Sequence, residues 1–189
     1  MGIDEGMPTI LQDSDFLNCG IRELEDYLVS SELFWQLSGG GNLPRLTLGG
    51  LLLARKRLQA RENLLPAGLD LAQMDRQLTA AQVRWRAAWE KKAVQEARSR
   101  FELWKNYLDD YHQSPDLHAG EYPRQVQYRV MLHLLEIELP GRPDALAALA
   151  GLDEFLKTSF LGGPFIWEPD LAPVFPASDF WYLFGRLKL

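Results

Sequence analysis

Apolar residues at Leu71, Met74, Leu78, Ala81, Trp85 and Ala88 fall at steps of three and four, the spacing that lines one face of a helix. Ala97, Phe101, Trp104, Leu108 and Tyr111 repeat the rhythm out of phase, since continuing the first stripe would bring Lys92, Gln95 and Ser99 onto it. That shift is a stutter, so one straight partner cannot follow both halves. No Pro or Gly interrupts residues 70–112, and the fill is Ala, Gln, Arg, Lys, Glu and Leu, which lose little on becoming helical. The pattern predicts one long central helix over 70–112, about 60 Å at about 1.5 Å per residue. Either shorter helices cover its two halves, or one end packs on another copy of the chain. Trp85 and Trp89, one turn apart, are expected at the centre of the core, with stacking on a planar ligand as the alternative use.

The remaining pattern predicts an all-α bundle of about five main helices in a single domain spanning 1–189. Residues 1–14 lack periodicity and are expected as a loose arm. Asp15 or Asn18 caps a helix over about 21–37, closed by Ser38-Gly39-Gly40-Gly41-Asn42. Those glycines lack the Lys-Ser or Lys-Thr of a phosphate loop, so they read as a helix stop and connector. Thr47 caps a second helix to about Asn63, where Gly49 and Gly50 permit close approach of a neighbour. A fourth helix over about 121–139 is apolar on more than half its surface and is expected buried on two sides. A short link through Pro140 leads to a fifth, ending near Phe160.

Residues 162–189 differ in kind, with Phe165, Trp167, Phe175 and Trp181 set among Pro164, Pro169, Pro173 and Pro176. Such a stretch excludes regular helix and central strand before Pro176. It predicts an extended tail packed on the bundle by aromatic anchors, ending in a short helix near 178–186. Docking of those aromatics on another protein is the sharper alternative.

Charge is segregated in a way the net of −6 conceals. Residues 1–34 carry eight acids against Arg22, residues 35–105 thirteen bases against six acids, and the remainder six bases against twelve acids. The pieces are expected to neutralise one another on folding. The basic middle supplies a candidate anion-binding set: Arg55, Lys56, Arg57, Arg61, Arg84, Lys91, Lys92 and Arg98. Glu90, Glu96 and Glu102 interrupt it, with Glu96 and Arg100 at intrahelical pairing distance, which favours an ordinary solvated face and argues against nucleic acid. Cys19 stands alone, so an intramolecular disulfide is excluded, and with no basic leader followed by an apolar run the expected setting is cytoplasmic. No apolar run is long enough to span a bilayer.

Chemistry is thinly represented. Asp109 with His112, and His133 with Glu136, have the three-residue spacing of carboxylate and histidine ligands in di-metal bundles, but helical geometry sets the two pairs about 18 Å apart. No metal, cofactor or catalytic residue is assigned. The expected function is a non-enzymatic interaction or assembly protein with a protein partner, including itself as a homodimer. The alternatives are a binding module for an anionic partner such as nucleic acid and a metal-dependent helical-bundle enzyme.

Overall fold

A computed structural model describes residues 8–39, 43–141 and 144–189. Helix α1 spans Ile10–Arg22 and α2 Leu24–Val29; α3 spans Leu48–Ala60; α4 Leu71–Arg84 and α5 Arg86–Gln113; α6 Pro115–His118; α7 Tyr122–Gln125 and α8 Gln127–Ile137; α9 Leu149–Ser159. Strands β1 (Phe160–Phe165) and β2 (Phe184–Leu187) pair antiparallel. The architecture is an all-α bundle closed by a C-terminal tail.

The first helix begins earlier than the periodicity indicated. Thr9 and Gln12 form a capping box: the Thr9 hydroxyl accepts from the Gln12 amide at 3.2 Å, and the Gln12 side chain accepts from the Thr9 amide at 2.8 Å. Residues 10–14 are therefore helical rather than part of an arm, and residues 1–7 of the expected arm lie outside the described residues. The helix expected over 21–37 stops at Val29, where the Ser30 hydroxyl bonds back to the Tyr27 carbonyl at 2.8 Å. Beyond it Trp35 pairs with Leu46 as an antiparallel bridge. The expected stop at 38–42 falls partly outside the described residues.

Thr47 caps α3 as expected, accepting from the Gly50 amide at 3.1 Å. Eight of the thirteen residues of α3 are buried and only Gln59 is exposed, because α1, α5, α8 and the Pro169–Val174 turn all pack on it. Gly49 permits the approach of α5: a Cβ there would stand 2.7 Å from Glu96 Oε1.

The long helix is two. At Trp85 (φ −110°, ψ 30°) the backbone leaves helical geometry, although the Trp85 amide still reaches Ala81 O at 2.8 Å and Trp89 N reaches Trp85 O at 2.9 Å. The break falls where the apolar stripe shifts phase. The Leu71, Met74 and Leu78 face of α4 goes to α1, whereas α5 turns Trp89, Ala93, Ala97, Phe101 and Trp104 toward α3, α8 and α9. Trp89 is 2% exposed and Trp104 fully buried. On its two sides α8 meets α3 and α5, which accounts for its apolar breadth.

In the tail, Trp181–Leu183 forms a single 3-10 turn, and residues 184–186, expected as helix, belong to strand β2. They pair with β1 through Phe160 opposite Leu187 and Gly162 opposite Gly185, with an irregularity before Phe165. Gly185 (φ +152°) is required there, since a Cβ would stand 2.2 Å from Leu161 O.

Candidate interaction surface

The eight candidate cations do not form one band. On α3, Arg57 binds Asp13 of α1 bidentately at 2.8 and 2.5 Å with both side chains buried. Burial pushes the Asp13 carboxyl up against the pull of Arg57. Arg61 reaches Asp170 in the tail at 2.6 Å and thereby holds that carboxyl below its ordinary range. Arg55 bonds Asp75 of α4 at 2.6 Å. Lys56 stands 5.4 Å over the Phe175 ring and 5.2 Å over Phe180, and burial lowers its ammonium pKa.

Arg84 pairs with Glu25 of α2 at 3.1 Å. Lys92 is buried, donating to Ser30 Oγ at 3.3 Å and to the Glu32 carbonyl, with its nitrogen 4.4 Å over the Tyr27 ring. Burial lowers its pKa as well. Six of the eight thus have partners within the fold, and Asp13, Glu25 and Asp170 carry the mutual neutralisation that the charge segregation predicted.

Lys91 and Arg98 remain. Both are exposed, and among the described residues neither has a carboxylate within 4.0 Å. They lie two helical turns apart on the outward face of α5 and line an open groove of about 530 Å³ between α5 and the turn at residues 139–141. Val94, Leu139 and Pro140 supply its apolar lining.

Of the four tail aromatics expected as anchors, Trp167 and Phe175 are buried and Phe165 and Trp181 half-buried. Trp167 is buried and donates from Nε1 to Pro123 O at 2.8 Å. Phe175 is fully buried, edge-on to Trp167 at 5.3 Å and to Phe180 at 5.1 Å. Phe165 and Trp181 are half-buried, against Phe184 at 5.2 Å and Phe160 at 5.6 Å respectively. Trp167 ties the tail to α7, Phe175 packs beneath Lys56 of α3, and Trp181 packs on Phe160 at the end of α9, while Phe165 packs within the tail itself.

The ionisable side chains suited to chemistry stand apart. His112 meets Phe155 edge-on at 5.4 Å, and His118 Nδ1 lies 3.4 Å from Glu121. Buried Cys19 accepts from Arg22 Nη2 at 3.0 Å. Among the described residues, no group of three or more His, Cys, Asp or Glu is placed to hold one metal ion.

One polar cluster escaped sequence reasoning, and a second, the Glu96–Arg100 pair, was expected on the solvated face. Arg129 of α8 binds Asp153 of α9 at 2.8 Å through both Nε and Nη2, its guanidinium 4.6 Å over the Tyr182 ring. One turn on, His133 packs at 4.6 Å on Phe180, and burial together with Arg129 holds its pKa below 6.5. Second, Glu96 is fully buried rather than solvated: it accepts from the Gly49 amide at 2.8 Å and from Arg100 Nε at 3.1 Å. Arg100 also reaches the Thr47 hydroxyl at 3.3 Å. A carboxylate at the first turn of α3 complements the helix dipole and satisfies an amide without an intrahelical partner.

No helix among the described residues is long and apolar enough to cross a membrane. No protein-family model, curated protein or solved structure matches this chain.

Proposed function

We propose that the chain is a non-enzymatic interaction protein, acting in a reducing, cytoplasmic setting, whose protein partner sits on the outward face of α5. The observation that carries the reading is the pair Lys91 and Arg98, exposed and without carboxylate partners beside the apolar groove of Val94, Leu139 and Pro140. Such a mixture suits an acidic, partly apolar protein surface, because the charges give orientation and the groove gives burial. Two cations fall short of the row of phosphate contacts through which nucleic-acid backbones are held. The lone, buried thiol of Cys19 supports the reducing setting.

The test is a photoreactive residue placed at Gln95, which lines the groove between the two cations, in cells producing the protein. Discrete protein adducts from Gln95, absent from a control at exposed Gln59 and lost on Lys91→Glu with Arg98→Glu, are expected. Adducts that are absent, or equal at both positions, sink the reading.

A further inference from the structure

The face of α5 is complementary in charge to itself. Its exposed stripe runs Lys91, Gln95, Arg98, Glu102, Lys105, Asp109, at alternating steps of four and three, the spacing that keeps side chains on one face of a helix. The N-terminal half of the stripe carries two bases, Lys91 and Arg98, and the far half two acids, Glu102 and Asp109, with Lys105 between them. Arg98 and Glu102 stand one turn apart on the same helix without pairing, in the base-before-acid order that is less favourable within a helix. Glu102, like Lys91 and Arg98, has no ion-pair partner among the described residues, and the Lys105–Asp109 contact is long, at 3.6 Å, and exposed.

We propose that the partner on this face is a second copy of the chain, laid antiparallel along α5; the proposal rests on the reading of that face as the interaction surface. A two-fold axis at the level of Arg100 sets Lys91 opposite Asp109 and Arg98 opposite Glu102, and the symmetry makes each pair twice. Exposed ion pairs fix register more than they hold a complex together, so the Val94–Leu139 groove provides the burial that retains the partner.

Sedimentation of the purified full chain from micromolar to sub-millimolar concentration tests this. A species of twice the 21.6 kDa chain is expected, weakening as salt rises. Arg98→Glu and Glu102→Arg singly should each raise the dissociation constant roughly tenfold, because each sets like charges opposite one another at two symmetric positions. R98E/E102R together should restore association, since the swap inverts both members of each pair. Both side chains are exposed, and an unchanged circular dichroism spectrum controls for folding. A chain that stays at 21.6 kDa throughout overturns the second copy as occupant, while Gln95 adducts to a different protein would preserve the interaction surface. A dimer indifferent to both reversals, or not rescued by the double change, overturns this register on α5.

Discussion

Removing the Glu96 carboxylate tests how the two innermost helices are joined. In Glu96→Ala, the Gly49 amide at the start of α3 loses a charge-assisted acceptor at 2.8 Å, and Arg100, its side chain 11% exposed, loses the counter-charge at 3.1 Å. Breaking a buried pair by deleting one partner costs about 3–5 kcal/mol, since the remaining charge stays desolvated. Arg100 retains the Thr47 hydroxyl and lies near the Phe34 and Tyr128 rings, which places the expected loss toward the lower end. Glu96→Gln preserves shape and one acceptor and should cost about 1–3 kcal/mol, as for one hydrogen bond to a charged group. Urea unfolding followed by tryptophan fluorescence reads both values as a displaced midpoint at constant slope. A loss below about 1 kcal/mol for Glu96→Ala would show the carboxylate to be a bystander rather than a stabilising acceptor at the start of α3.

Three further outcomes are expected. Trp89→Ala, at a position 2% exposed, should destabilise by about 3–5 kcal/mol in the same assay; ready quenching of Trp89 emission by acrylamide in the folded protein would contradict its burial. Gly185→Ala should cost about 2–3 kcal/mol, because its backbone lies where L side chains are strained and the Cβ would overlap Leu161 O; an unchanged melting temperature would refute the strand geometry. His133 has a folded pKa below its unfolded 6.5, so it favours the fold above that value, and its contribution is lost as pH falls from 6.5 through the folded pKa. His133→Gln should flatten the acid-side stability profile in that window, and an unaltered profile would count against the assignment.

What could be read from the chain, and what could not, follows from where side-chain chemistry is local. Thr47 as a cap, Trp89 as core and the two-sided burial of α8 were legible because capping residues and apolar spacing act within a few positions. Helix α1 was not, since its inner face carries Asp13, Ser14 and Gly20, whose burial depends on Arg57, the Ile10 carbonyl and Leu51. The break at Trp85 left a trace as the phase shift, but propensity alone favoured a continuous helix. Strand β2 left none, because its partner begins at Phe160 and the pairing answers to tertiary contacts. On the candidate surface, the cations were legible by type. Which of them are left unpaired was not, because Arg61 and Asp170 stand 109 positions apart.

Fastening the tail also sets a schedule for making the protein. Its hydrogen bonds reach back across the chain: Arg61 to Asp170, Tyr111 Oη to the Lys188 carbonyl, Tyr122 Oη to the Tyr182 carbonyl and the Trp167 indole to Pro123 O. A nascent chain emerging from the ribosome can form α1 through α8, yet the seat for Trp167, Phe175 and Phe180 stays uncovered until those residues emerge. The last contacts to form are therefore among the longest in sequence separation, the kind that slow folding. Until then the unfilled seat is a hydrophobic site open to chaperones, and a stop codon placed before Trp167 would leave it open for good.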